Sequence, residues 1–287
     1  MGHKNQNKHS LVKQVQNNLD AKLAIGHSKL KDKIAGTSDD HIYSWETYRT
    51  YLKHCCYFVQ WCKQEHGCKT LQECRPYIIE WMKTRETLSA YTQKLELSAL
   101  AKLYHCRSED FGLQTKSRQR SEIKRSRNHA VRDQHFKEDL YAEFVAFCRS
   151  TGLRRAELKA LRGTDLYLDP DGSYYIHITR GSKGGRERYA PITGDVELVC
   201  RLCSAAGDGK VFPKLPSAAD IHSYRAEYAT QIYLNCARPI DQLTRREIYY
   251  CRKDRKGDKF DRAAMLEASR ALGHNRINII AEHYLRL

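Results

Sequence analysis

Four short stretches carry side chains suited to work on a phosphate ester: TGLRRAEL at 151–158, RGSKGGRERYAPI at 180–192, HSYR at 222–225 and the closing run LGHNRINIIAEHYLRL at 272–287. Breaking a phosphodiester needs positive charge on the nonbridging oxygens, a nucleophile, and an acid for the departing oxygen. Arg154 and Arg225 suit the first task, because a planar guanidinium grips phosphate oxygens in pairs and keeps its proton. Lys183 sits in a glycine-rich turn that can approach a ligand closely, where its ammonium could protonate a leaving 5′ oxygen. His222 and His274 can hydrogen-bond the phosphate or handle the nucleophile's proton. Tyr284, ten positions after His274, supplies an oxygen. Each residue alone has an ordinary explanation. The closing run, with Ile277, Ile280 and Tyr284 at three- and four-residue spacing, also fits an amphipathic helix facing a core.

The rest of the chain favours an anionic partner. Fifty Lys and Arg against 34 Asp and Glu leave a net charge of +16 over 287 residues. Such an excess points to nucleic acid or an anionic membrane surface. No basic helix with a large apolar face, lipidation signal or membrane-length apolar run is present, so a membrane partner is not expected. MGHKNQNKHS lacks the apolar segment of a secretory signal, which places the protein in the cytoplasm. Its eleven cysteines are expected to be buried, reduced thiols. Cys200 and Cys203 form the only C-x-x-C pair, without a second pair at zinc-finger spacing, so a structural zinc is the minor alternative. No carboxylate cluster for two magnesium ions and no GxxxxGK[ST] loop occurs, and no cofactor is expected.

The elements that must position these residues are mostly helical. A basic segment, 1–38, precedes a helical region at 39–110. In that region Tyr48, Leu52, Cys55, Val59 and Cys62 mark one helix face within 39–64, with Asp39 and Asp40 as start signals. A second helix starts at Thr70, where T-L-Q-E forms a capping box, and a third near Ser89, with Tyr91, Leu95, Ala99, Leu100 and Leu103 on one side. Residues 111–135 form a linker: seven basic residues and one acidic residue lie between Lys116 and Arg132, without apolar periodicity. From 136 to 287 helices surround a small sheet. Leu140, Phe144, Phe147 and Cys148 mark a helix ending at Thr151-Gly152, and another follows from about Arg155 to Arg162. Residues 166–168, 174–179 and 188–192 read as three short antiparallel strands, and helices resume from Asp195 to the end. The fold class is mostly α with a small antiparallel sheet (α+β).

In order and setting, the four stretches resemble the catalytic domain of the tyrosine recombinase, or phage-type integrase, family. T-G-L-R-x-x-E-L matches 151–158. K-G-x-K-E-R matches Lys183 to Arg188 with Arg186 in place of the second lysine, HxxR matches His222 and Arg225, and LGH matches 272–274. LSAYTQKLELSALAKLY also looks like the last helix of the family's N-terminal core-binding domain, so the resemblance spans nearly the whole chain. It implies Arg154, Lys183, His222, Arg225, His274 and Tyr284 as the catalytic set, with Glu157 as an accessory that orients a basic neighbour. It further implies cleavage and rejoining of double-stranded DNA through a 3′-phosphotyrosine, without metal or ATP. Inverted core half-sites would recruit two protomers and then a tetramer, and a DNA-bending accessory protein is a further candidate partner. Lys116, Arg118, Arg120, Lys124, Arg125, Arg127, Arg186 and Arg188 are the expected DNA contacts. Integration or excision of a phage or other bacterial mobile element is the corresponding task.

Three departures stand out. The LGH-to-tyrosine separation is ten residues, one more than usual in the family. Arg225 and His274 lie 49 positions apart, leaving an insertion at about 239–262. Within it RREIYYCRKDRKGDKFDR holds eight basic and four acidic residues, which suits an added DNA contact better than a solvated excursion. Only Leu285, Arg286 and Leu287 follow Tyr284, so either the tyrosine-bearing segment is itself exchanged between subunits or a tail is missing. Two other outcomes share these features: an inactive DNA-binding accessory protein, and a type IB topoisomerase-like enzyme that relaxes DNA without exchanging partners.

Overall fold

The computed structural model describes residues 10–118, 136–182, 185–252, 255–274 and 276–287. The chain divides into two compact units, Met1–Glu122 and Ile123–Leu287. Among the described residues no helix is long and apolar enough to cross a membrane.

The first unit is helical: α1 (Leu11–Asp20), α2 (Lys29–Ile34), α3 (Trp45–His66), α4 (Leu71–Cys74), α5 (Ile78–Thr84) and α6 (Ala90–Leu103). Helix α1, in the segment set apart by its charge, buries Leu11, Val15 and Leu19 in one core with Cys55, Phe58, Val59 and Cys62 of α3. Apolar periodicity thus outweighs net charge in placing it. Helix α3 starts later than its acidic start signals suggest. Asp39 and Asp40 form a short 3₁₀ turn, and Ser44 is the cap, its hydroxyl accepting from the Thr47 N–H at 3.2 Å.

Thr70 accepts from the Glu73 N–H as expected (3.3 Å), but the Glu73 carboxylate accepts from Lys69 N–H (2.7 Å) rather than closing the box on Thr70. This helix is also split, because Pro76 has no N–H and a 3₁₀ turn at Arg75–Tyr77 separates α4 from α5. Helix α6 begins after the Ser89 cap, yet its buried face is turned toward Gln93, Glu96 and Leu97. Glu96 satisfies its buried carboxylate with Arg85 (3.0 and 3.0 Å) and His54 (3.1 Å).

The second unit contains α7 (Ala142–Thr151), α8 (Arg155–Ala160), strands β1 (Leu166–Leu168), β2 (Tyr174–Ile178) and β3 (Arg188–Pro191), helices α9 (Val196–Ala206) and α10 (Ile221–Cys236), strands β4 (Ile248–Tyr250) and β5 (Lys259–Asp261), and helices α11 (Arg262–Ala271) and α12 (Asn278–His283). The expected three-stranded sheet forms in the order β1-β2-β3, antiparallel, with Leu166 opposite Ile176 and Ile176 opposite Ala190. Alternation turns Ile176, Ile178 and Ala190 into a core with Phe144, Phe147, Leu158 and Tyr224. Leu140, expected on α7, is exposed in the preceding 3₁₀ turn.

A second core joins Ala226, Ala229 and Tyr233 of α10 to Met265 and Ala268 of α11, and to Ile280, Tyr284 and Leu285. Helix α10 therefore serves both cores. Helices with breaks near Pro213 and Pro239 were expected from Asp195 onward, and the insertion adds an element not expected there, the β4–β5 hairpin, with Ile248 opposite Asp261. Its basic residues divide by use. Arg255 and Arg262, with Arg238 just before the insertion, bind carboxylates or carbonyls within the unit, Arg238 and Arg262 while still exposed; Arg245, Arg246, Arg252, Lys256 and Lys259 are exposed as well.

Candidate active site

The site grows from the turn between α7 and α8. Helix α7 ends at Gly152 in the left-handed region (φ +59°), where an added Cβ would lie 2.1 Å from Cδ1 of Tyr228. That tight turn brings Arg154 to the start of α8. Its N–H donates to Glu157 Oε2 (2.7 Å) and its Nη1 to Glu157 Oε1 (2.8 Å), while Nη2 reaches the Leu272 carbonyl (3.1 Å). Glu157, its side chain 1% exposed, also accepts both terminal nitrogens of Arg188, at 2.7 and 2.9 Å. Burial alone would raise the Glu157 pKa. The Arg188 hydrogen bonds and charge, helped by the Arg154 N–H and Arg225, outweigh it and bring it down to about 2.

Arg188 was expected on DNA, and the structure places it elsewhere: buried, paired with Glu157, and donating Nε to the Ala271 carbonyl (3.1 Å). A guanidinium spent on a buried carboxylate is a brace. Gly273 makes room for it, since a Cβ there would lie 2.8 Å from Arg188 Cδ, and its φ of +67° suits glycine.

Arg225, on α10, is almost completely buried, and it donates to the Gly152 and Leu272 carbonyls. Its Nε has no hydrogen-bond partner among the described residues. Burial, with Arg154 and Arg188 nearby, lowers its pKa to about 10, so it stays charged at neutral pH. Arg154 and Arg225 thus meet on one carbonyl oxygen, that of Leu272, in the turn that leads to His274.

His274 is fixed by its N–H to the Ser269 carbonyl (2.8 Å), and its carbonyl accepts from the Ser269 hydroxyl (3.1 Å). Its Nε2 is 3.2 Å from the hydroxyl oxygen of Tyr284. Burial first, then the fields of Arg225, Arg154 and Arg188, hold the imidazole down to about 4, so at neutral pH it is uncharged and free to accept the phenolic hydrogen on Nε2. The His222 ring centroid lies 5.2 Å from that of Tyr284, and the Arg225 guanidinium carbon 5.7 Å from it. Tyr284 is itself buried. Its N–H bonds to the Ile280 carbonyl (3.0 Å), and its carbonyl accepts from Thr230 (3.3 Å).

Of the residues singled out from sequence, the structure brings Arg154, Glu157, His222, Arg225, His274 and Tyr284 together. Lys183, Arg120, Lys124, Arg125 and Arg127 lie outside the described residues. Lys116 and Arg118 are exposed in the first unit, where Lys116 donates to the Glu86 carbonyl (3.2 Å) and Arg118 lies 5.1 Å from the Tyr91 ring centroid. Arg186 is exposed on the second unit. Sequence reasoning missed the Arg188 brace and the carbonyls of Ala271 and Leu272. A buried glutamate paired three residues from one arginine calls for a second cation, but nothing in the letters says which. The carbonyls leave no signal at all.

No family model and no curated protein matches the chain. Among solved structures, its fold is similar to the XerH site-specific recombinase bound to palindromic difH substrate in a post-cleavage complex, at 15% identity over 95% of this chain and 91% of that one, with a TM-score of 0.52. The Tn1549 transposon integrase with circular intermediate DNA also matches, at 11% identity over 97% and 96% of the two chains and a TM-score of 0.47. The XerA recombinase does so at 14% identity over 95% and 94%, with a TM-score of 0.34.

Proposed function

We propose that this chain is a site-specific DNA recombinase of the tyrosine type, which cleaves and rejoins duplex DNA through a 3′-phosphotyrosine. The observation that carries this reading is the 3.2 Å contact between His274 Nε2 and the Tyr284 hydroxyl beside half-buried Arg154 and buried Arg225. The fold shared with XerH supports it.

In this mechanism the Tyr284 oxygen attacks phosphorus as its proton passes to neutral His274. The arginines neutralise charge on the nonbridging oxygens. The bond to the 5′ oxygen breaks, and Lys183 supplies that oxygen with a proton. An arriving phosphate also opposes the arginine field at His274, raising its basicity when the proton must be taken. The phosphotyrosine bond conserves the energy of the broken ester, so a 5′ hydroxyl from a second duplex can reseal it. XerH is bound to a palindromic substrate. Two copies of this chain on inverted half-sites, pairing into a tetramer, would extend the same logic. We assign catalysis to residues 136–287, core-site binding to the helical unit formed by 39–110 together with α1, with 111–135 as linker, and the work to DNA in the cytoplasm.

Incubation with a nicked suicide duplex tests the proposal. Protein covalently attached to the 3′ side, abolished in Tyr284→Phe while DNA binding persists, supports it. Binding without attachment makes the chain an accessory protein, and relaxation of supercoils without dependence on a paired sequence makes it topoisomerase-like.

A further inference from the structure

The insertion does something the DNA-contact expectation does not explain: it grips the segment that bears Tyr284. Arg255, between β4 and β5, donates Nη1 to the carbonyls of Ala281 (2.7 Å) and Leu285 (3.2 Å). These oxygens flank Tyr284 at the C-terminal end of α12, where the negative end of the helix dipole favours a cation. The guanidinium is held in turn by Asp258 (Nε to Oδ2, 2.5 Å), and its carbon lies 4.9 Å from the ring centroid of buried Phe260. Its side chain is only 11% exposed, so solvent screens these bonds little.

The hairpin that carries Arg255 is itself anchored to the catalytic helices. Asp261 is fully buried and accepts from Arg238 Nε (2.8 Å) and Nη2 (3.0 Å), it caps α11 through the Ala263 N–H (2.9 Å), and its own N–H donates to the Tyr233 hydroxyl (3.1 Å). A continuous path therefore runs from α10 through the hairpin to the tyrosine segment. From the other side, Arg286 donates its N–H to Thr230 (3.2 Å) and its Nη1 to Ser223 (2.8 Å), both on α10.

We infer that Arg255, beside strands β4 and β5, is a latch: a positioning residue that holds Tyr284 against the arginine cage of its own chain. Arg255 touches neither the phosphate cage nor the Tyr284 ring. Its effect on cleavage rests on the phosphotyrosine reading, but the latch itself does not. The tyrosine-bearing segment is thereby retained in cis by contacts from the insertion.

Hydrogen exchange on the full chain tests the latch without activity. In Arg255→Ala, amides of 278–287 should exchange at least about tenfold faster, the factor that corresponds to losing about 1.4 kcal/mol, with 142–160 unchanged and Arg255→Lys intermediate. Unchanged exchange in 278–287 overturns the inference. The suicide duplex then reads function: Arg255→Ala should slow adduct formation about tenfold with DNA affinity unchanged. With hydrogen peroxide as a small external nucleophile, Tyr284→Phe and Tyr284→Phe/Arg255→Ala should cleave at the same rate, because the latch serves only the tyrosine. A slower double variant would place Arg255 in the support of the cage and overturn its role as a tyrosine positioner. A wild-type chain that never forms an adduct refutes the phosphotyrosine reading and with it the catalytic role, while the exchange result still decides whether the latch exists.

Discussion

Replacing Glu157 with glutamine should unsettle the second unit and leave the helical unit as it is. The Glu157 carboxylate is 1% exposed and binds both Arg154 and Arg188, and its pKa falls from the ordinary 4.5 to about 2. That fall corresponds to about 3 kcal/mol favouring the ionised form in the folded state. Because the folded value lies below the unfolded one, the stabilisation is fully present above pH 4.5 and is lost as pH drops toward about 2.

Glutamine keeps the shape but presents an amide to one guanidinium, stranding buried charge, so at pH 7 the loss should be about 3 kcal/mol, or roughly 6–12 °C in melting temperature for a unit of this size. Calorimetry of the full chain reads this transition. Trp45, Trp61 and Trp81 are the only tryptophans and all lie in the first unit, so their fluorescence melt serves as the internal control and should not move. Sulfate or DNA, supplying negative charge to the same cage, should restore part of the loss and stabilise the variant more than the wild type. A calorimetric shift below about 2 °C, or an equal shift in the tryptophan signal, would refute the buried-clamp reasoning.

Other outcomes follow from the same geometry. With its pKa held at about 4, His274 should show a titration midpoint well below 6.5 by NMR; because the unfolded chain takes up that proton first, stability should decline as pH falls from 6.5 toward 4, and a midpoint near 6.5 would remove the neutral-acceptor role. Gly152→Ala must both hold φ near +59° and displace the Tyr228 ring, so it should cost more than about 2 kcal/mol, whereas Gly172→Ala, also at positive φ but with nothing within 4 Å of the new Cβ, should cost about 1 kcal/mol in the same denaturant titration. Of the eleven thiols, Cys236 alone is exposed, so brief maleimide treatment of the native chain should label one site and Cys236→Ser should abolish the fast phase.

Much of the site was legible because its side chains sit on elements with strong local signals. Ser89 caps α6, Gly152 ends α7, and the alternation in YYIHI fixes which face of β2 is buried. His274 and Tyr284 were named together through the resemblance of LGH and the terminal tyrosine to the family's motifs, and the structure shows why the core interpretation and the catalytic one coexist: Ile280 and Tyr284 enter the same apolar cluster. What stayed hidden depends on tertiary partners. Arg186 and Arg188 are two letters apart in one hairpin, yet one is exposed and the other is buried against Glu157. The hairpin at 248–261 was missed because its three-residue strands pair only with each other, whereas the equally short β1 lies beside the longer, alternating β2. Arg85 and His54 made Glu96 a core residue on a face that hydrophobicity alone assigned elsewhere.

The carbonyls of Gly152, Ala271 and Leu272 receive the three buried or half-buried arginines of the cage. Main-chain oxygen is the same whatever residue carries it, so most of this scaffold can be respelled without moving a single acceptor. Substitution can then change the letters around the arginines while their mutual placement persists, because the acceptors belong to the path of the backbone and not to the side chains along it.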